Sequence, residues 1–396
     1  MHYAVPRLLH NSGKLERFYT DIYARRGWPR LLAALPERWC PSGIRRLLSR
    51  AAPGVPQELV RSYPLFGLAY YVRRARAKGP EVLSTVHLWA GKSFGERVVR
   101  DGFGNAAAVY VFNTAAFEIL SAARKRGLFT VMEQTIVPRA IEEALLADGR
   151  SRYPGWEPEC LKSGAAEALA QREREEWDEA DMIVCGSEFV RDGIRRCGGP
   201  VERCVVVPYG VDSNFALGTH ERSGGLLRVL TVGHVGLRKG AGCALEVAKA
   251  LRGIAEFRWV GLVTLLDKAQ AEMARHIELT SAVVRDDIMK HYTWADVFFL
   301  PSICEGSATA TYEALACGLP VVTTPNAGST VRDGVDGFIV PVYDVPAMVE
   351  RLRQLHDDRA LLARLGQAAA LRSVDLSLAA YQKRLLEALS RGCGAA

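Results

Sequence analysis

Glu305 and Glu313 stand at either end of a run of small residues, Glu-Gly-Ser-Ala-Thr-Ala-Thr-Tyr-Glu. An ionised carboxylate accepts hydrogen bonds and donates none, so a pair of them suits hydroxyl groups, as on a sugar or a ribose. Between them Gly306, Ser307 and Ala308 carry little side-chain bulk, and a ligand can approach the main chain closely there. Val297–Leu300 reads as a buried strand, and Val321–Thr324 as the next. The intervening helix opens at Thr309 and Ala310, so its first N–H groups and the positive end of its dipole face the small-residue loop. The segment is a strand–loop–helix–strand unit that offers backbone donors to a phosphate and two acids to neighbouring hydroxyls.

The elements that must position this segment alternate in the manner of parallel α/β sheets. From Leu227 onward, strands are expected near 228–232, 257–261, 281–284, 297–300, 321–324 and 338–340, with helices between them. Upstream, Val109–Phe112, Phe129–Met132, Met182–Cys185 and Val205–Val207 read as strands. A helix over 115–127 closes on Gly127, and Ser187 caps another that runs to about Cys197. Residues 138–178 are charged and helical, interrupted at Tyr153-Pro-Gly-Trp156. Pro208–Asp212 turns into a linker that includes 220–225. A last amphipathic helix spans 374–391, with Leu376, Ala379, Leu385, Leu386 and Leu389 apolar. The start is abbreviated: a helix over 2–10, a strand over 15–23, and no strand before them. This reads as a late start or a missing first strand.

At 396 residues the chain exceeds one ordinary core and fits two domains. Its hydrophobic fraction of 49% and charged fraction of 24% are those of a globular protein. No apolar run approaches the ~18 residues of a membrane-spanning helix, and the first residues lack the basic-then-apolar order of a signal peptide. The nine cysteines form no Cys-x-x-Cys pair. Cys185, Cys243, Cys304 and Cys317 fall in apolar patterns and read as buried thiols, not zinc ligands. Asp286-Asp287 reads as a helix start, not a metal site.

The net charge of +7 is uneven: residues 1–80 hold 15 Lys/Arg against 4 acids, a local +11, which leaves −4 for the rest. The excess is interleaved with Trp28, Leu31, Trp39, Phe66, Tyr70 and Tyr71. Such basic amphipathic stretches suit an anionic lipid surface. An arginine-rich solvated face over an ordinary core is the competing reading. No recognised nucleic-acid-binding pattern accompanies the charge.

Glu305 and Glu313 have the E-x7-E spacing of retaining glycosyltransferases, and their surroundings resemble family 4 of that group. Val229–Gly240 (Val-Leu-Thr-Val-Gly-His-Val-Gly-Leu-Arg-Lys-Gly) resembles that family's strand, glycine turn and lysine. Ala180–Arg191 and Val206–Phe215 resemble its interdomain junction. The resemblance is good over about 178–355 and thin before Val109. It implies the GT-B fold: two doubly wound Rossmann-like domains facing a central cleft. An acceptor-binding domain would span 1–208 and a donor-binding domain 209–373, with a helix over 374–396 returning to the first.

The resemblance further implies that Glu313 binds ribose hydroxyls and Glu305 the hydroxyls of the transferred sugar. A departing diphosphate needs positive charge, for which Lys239, with Arg238 beside it, is the best placed. Cations at a helix start oppose the dipole unless an anion lies between. Gly233, His234 and the main chain of Gly306, Ser307, Ala308, Thr309 and Ala310 complete the donor set. Two positions depart from the family: His234 replaces its usual basic residue, and Gln134 stands nearest to a usual histidine, where its amide would reach the sugar.

The expected activity is transfer of a hexose-type sugar from a nucleotide-diphosphate sugar to a lipid-linked or cell-surface polysaccharide acceptor, without metal or other cofactor. The expected location is the cytoplasm, at the inner face of the membrane. The alternatives are a nucleotide-sugar-binding partner subunit without transferase activity, and a GT-B epimerase or phosphorylase.

Overall fold

The computed structural model describes residues 3–32, 42–158, 164–212, 215, 225–281, 283 and 285–393. In chain order the first elements are α1 (Ala4–Asn11), β1 (Phe18–Thr20), α2 (Pro29–Leu32), α3 (Ser42–Leu48), β2 (Val60–Ser62), α4 (Pro64–Arg76) and α5 (Pro80–Asp101). There follow β3 (Ala108–Phe112), α6 (Phe117–Arg124), β4 (Phe129–Gln134), α7 (Arg139–Arg152), α8 (Gly164–Glu179), β5 (Met182–Cys185), α9 (Glu188–Arg196) and β6 (Cys204–Val206). The second alternation is β7 (Leu227–Val232), α10 (Ala241–Ala250), β8 (Ala255–Val260), α11 (Asp267–Ala274), β9 (Ile277–Thr280), α12 (Arg285–Trp294) and β10 (Val297–Leu300). It continues through α13 (Thr309–Ala316), β11 (Val321–Thr323), β12 (Gly337–Ile339), α14 (Val345–Asp357), α15 (Arg359–Leu371) and α16 (Leu378–Cys393).

Contacts divide the chain into two compact units, one of residues 1–133, 160–183 and 392–396, the other of 134–159 and 184–391. In the first unit β1 and β2 pair in parallel as a sheet of their own, Phe18 opposite Val60 and Thr20 opposite Ser62. A four-stranded sheet has the order β3-β4-β5-β6. In the second unit a six-stranded sheet runs β12-β11-β10-β7-β8-β9, with parallel pairing between neighbours. Its order reverses between β7 and β10, the switch point where open parallel sheets leave room for a ligand at the carboxyl ends of their strands. Val297, Phe298, Phe299 and Leu300 are all fully buried, because a central parallel strand is covered on both faces. Leu227, Val229, Phe299, Val322, Leu352 and Leu362 belong to one core between this sheet and its helices.

Most expected elements form where the spacing puts them, but the strand expected over 15–23 shortens to β1 and another is displaced. The strand expected at 281–284 lies at 277–280 instead, while Ser281 and Val283 are not in a strand. β9 is an edge strand with one face toward solvent, so it alternates Ile-Glu-Leu-Thr; the apolar run at Ala282–Val284 imitates an interior strand that this edge does not need. The linker residues 220–224 lie outside the described residues. Cys185, Cys243, Cys304 and Cys317 are buried free thiols. Among the described residues, no helix is long and apolar enough to cross a membrane.

Candidate functional site

The site forms in the second unit, at the ends of β7 and β10. β7 ends in a glycine turn that leads through a 3-10 turn, Leu237–Lys239, into α10. Gly233 has φ +127, and a Cβ there would stand 2.4 Å from Lys239 Cε and 3.1 Å from its Nζ. Only glycine tolerates both that dihedral and that approach, so the turn is shaped around the lysine side chain. Lys239 is 9% exposed, and its Nζ lies 2.7 Å from Glu305 Oε1. Arg238 flanks the pair with longer reaches, 3.5 Å to Glu305 Oε2 and 3.9 Å to Glu142 Oε1. A buried ammonium held by one carboxylate, beside a guanidinium only loosely paired, is a cationic corner that an incoming polyanion can take over.

The loop after β10 closes the other side. The Ile303 and Cys304 N–H groups donate to the Arg238 carbonyl at 2.9 and 3.2 Å, and the Glu305 N–H donates to Asn326 O at 3.0 Å. A Cβ on Gly306 would lie 1.9 Å from the Thr135 carbonyl oxygen, so this position requires the bare backbone. Ser187 Oγ donates to the Gly306 carbonyl, and Ser307 Oγ lies 2.7 Å from Tyr312 Oη and donates to Gly328 O at 3.1 Å. Burial pushes the Tyr312 hydroxyl up from its ordinary value, which keeps it protonated and able to donate.

Ala308 precedes α13, and its N–H donates to Ala327 O at 3.0 Å. The first N–H groups of α13, from Thr309 and Ala310, have no intrahelical acceptor by helical geometry and stand at the positive end of the helix. Glu313, half-buried one turn further on, accepts a hydrogen bond from Tyr292 Oη at 2.8 Å. The Cys304 thiol is pushed well up, chiefly by burial and then by the Glu142 carboxylate, so it stays neutral and is a poor nucleophile.

The structure therefore brings together Gly233, Arg238, Lys239 and Glu305, with Gly306, Ser307, Ala308, Thr309 and Ala310 continuous with them. His234 is exposed on the same turn. Gln134, at the end of β4, is fully buried, and its Nε2 donates to the Ile136 carbonyl at 3.0 Å. Its amide nitrogen thus serves the backbone of its own loop. Sequence reasoning missed the carboxylates behind the cations. Glu142, buried on α7, pairs with Arg139 at 3.0 Å as well as facing Arg238, and Glu157 Oε1 accepts the Leu237 N–H at 2.7 Å. Nothing local in the sequence links these acids to residues 237–238. The one signal was the helical, charged character of 138–178.

Residues 227–358, which carry this site, match the family described as Glycosyl transferases group 1. A Salmonella typhimurium protein assigned as the colanic acid biosynthesis glycosyltransferase WcaL is 30% identical over 193 residues, 44% of this chain and 47% of that protein. The amylovoran biosynthesis glycosyltransferase AmsK of Erwinia amylovora is 28% identical over 41% of this chain and 44% of its own. The matched segments thus span about half the length of these relatives.

Among solved structures, sucrose-phosphate synthase from Thermosynechococcus elongatus superimposes with a TM-score of 0.63 at 14% identity, over 99% of this chain and 92% of that one. Anabaena HepE in complex with UDP and glucose gives 0.60 at 15% identity, over 95% and 99%. The fold is that of these GT-B proteins, a mixed α/β chain with parallel sheets.

Proposed function

We propose that the chain is a retaining glycosyltransferase that moves a hexose-type sugar from a nucleotide-diphosphate sugar to a lipid-linked or cell-surface polysaccharide acceptor. The observation that carries this reading is the buried Lys239–Glu305 pair, 2.7 Å apart, in a loop that runs directly into the N-terminus of α13. Lys239, Arg238 and the first N–H groups of α13 receive the diphosphate and stabilise the charge it gains as it leaves. Glu305 then exchanges part of its contact with Lys239 for the hydroxyls of the transferred sugar, and Glu313, braced by Tyr292, holds the ribose. The bond between the anomeric carbon and the diphosphate oxygen breaks, and a bond to the acceptor oxygen forms on the same face. The acceptor's proton passes to the departing phosphate oxygen, so no protein nucleophile and no metal is required.

The names of WcaL and AmsK support a polysaccharide acceptor. A matching Mycolicibacterium smegmatis protein, 26% identical over 48% of this chain, is a GDP-mannose-dependent phosphatidylinositol monomannoside mannosyltransferase, which supports a lipid-linked one. Work at the cytoplasmic face of the membrane follows from such an acceptor.

The test is Glu313→Ala assayed by mass spectrometry with a panel of UDP- and GDP-sugars and a membrane-lipid extract. Sugar transfer should fall by at least about a hundredfold while the variant stays folded, losing only the ~1–3 kcal/mol of the Tyr292 hydroxyl's acceptor. Retained turnover in that variant sinks the reading. A donor-binding subunit without transfer is the second reading, and the burial of Gln134 with its amide nitrogen on Ile136 O favours it. Calorimetry with donor binding, and no turnover across the acceptor panel, identifies that case.

A further inference from the structure

α4 is apolar on two faces, and only one of them is covered. Its sequence, Pro-Leu-Phe-Gly-Leu-Ala-Tyr-Tyr-Val-Arg-Arg-Ala-Arg, contains no acid. Phe66 and Tyr70 turn inward onto α5, with ring centroids 5.6 Å from Trp89, 6.0 Å from Phe94 and, for Tyr70, 6.3 Å from His87. On the opposite side Leu65 is 78% exposed, Leu68 43% and Tyr71 68%. At about 100° per residue these three share one face with Ala69, Val72 and Arg76. Leu31 on α2 is also 76% exposed, and Trp28, just before α2, donates from Nε1 to Pro64 O at 3.3 Å at the start of α4. A helix with a second apolar face normally has that face enclosed by protein. This one instead ends in Arg73, Arg74, Arg76 and, just beyond, Lys78, none of which makes an ion pair among the described residues.

We propose that the outward face of α4 is the surface by which this chain docks on an anionic lipid membrane. The leucines and Val72 enter the acyl boundary, and Tyr71 sits at headgroup level with its ring apolar and its hydroxyl wet. Arg73 stacks on Trp89 at 4.1 Å and stays with the protein, while the stems of Arg74, Arg76 and Lys78 lie along the apolar layer and their charged heads bind lipid phosphates. Charge selects this occupant over a protein. The patch has cations at one end and no acid along its length, and it belongs to a stretch of local charge +11. The assignment narrows the membrane contact of the function proposed above to one helix face, and it does not depend on the sugar chemistry.

The experiment is sedimentation of the full chain with large vesicles of phosphatidylcholine alone, or of phosphatidylcholine with about one third phosphatidylglycerol. The chain should pellet with the anionic vesicles, stay in solution with the neutral ones, and be released by salt. Leu65→Ser/Leu68→Ser and, separately, Arg74→Glu/Arg76→Glu should each weaken that binding at least about tenfold. Both pairs are solvent-facing, so the unfolding midpoint and donor binding should be unchanged. Equal binding to both vesicle types, or undiminished binding by the leucine variant, overturns the proposal. So does a concentration-dependent dimer in light scattering that only the leucine variant abolishes, since a second copy would then be the occupant. Vesicle binding without any sugar transfer would leave this inference standing and remove the transferase.

Discussion

Both units bury a cluster of opposite charges, and the two are built for different ends. In the first unit Glu176, fully buried on α8, accepts the N–H groups of Thr114 and Ala116 at 2.8 and 3.0 Å. Arg172, one turn earlier, donates from Nε to the Thr114 carbonyl at 2.8 Å and from Nη1 to Glu118 at 3.0 Å. Backbone and side chains saturate one another, and the cluster pins the turn after β3 against α8. In the second unit the acids of Glu305 and Glu142 face the cations of Lys239 and Arg238 at 2.7 to 3.9 Å, and the adjacent helix start has donors to spare. A buried charge cluster that satisfies itself holds a fold together; one with a loosely paired arginine and helix N–H groups in reserve can take another anion.

Crossed substitutions should break this contrast most sharply. Lys239→Ala should lower sugar transfer by roughly a hundred- to a thousandfold, as loss of a leaving-group donor does, with a much smaller loss in urea stability because Arg238 still faces Glu305. Glu176→Ala should do the reverse: it leaves two buried N–H groups without an acceptor while Arg172 keeps Glu118, costing about 2–5 kcal/mol of stability while turnover per folded molecule is kept. Equal effects of the two on both measurements would erase the distinction.

The next effect is on pH. Burial raises the Glu176 carboxyl from 4.5 to about 7, against the pull of its two N–H donors and Arg172. Between those values the folded chain holds a proton that the unfolded chain has released, so stability falls as pH rises. This group contributes a loss on the order of 2 kcal/mol between about pH 5 and pH 7. Urea titrations at both values should show that slope in the parent chain and not in Glu176→Gln.

The smallest expected change is Gly233→Ala, whose methyl group meets Lys239 Cε and whose φ of +127 is foreign to alanine. Displacing the lysine should lower kcat about tenfold, and the strained dihedral should cost about 1–3 kcal/mol of stability. Unaltered kcat there would mean that the lysine is not held by its turn.

Much of the second sheet was legible because interior parallel strands are short, apolar runs bounded by glycine and proline, as at Val297–Leu300 and Val321–Thr323. The edge strand at 277–280 was not, because half-buried strands alternate and resemble polar linkers. β2, Val-Arg-Ser, is paired only with β1 and buries one residue of its three, so no apolar run marks it. At the site, Lys239 and Glu305 could be put forward from glycine spacing and helix position. Glu142 and Glu157 could not, since their partners lie far along the chain and only tertiary packing introduces them.

The tether between Glu157 and the Leu237 N–H crosses 80 positions of sequence, and the α7 residue Glu142 reaches Arg238 across a similar stretch. A fragment that began at 184 would carry every glycine, lysine and glutamate of the recognisable motif and still lack both of these anchors. Chain closure of that length comes late in folding, after the local β7–β8 pairing. The cationic corner should therefore be among the last features to become ordered during synthesis.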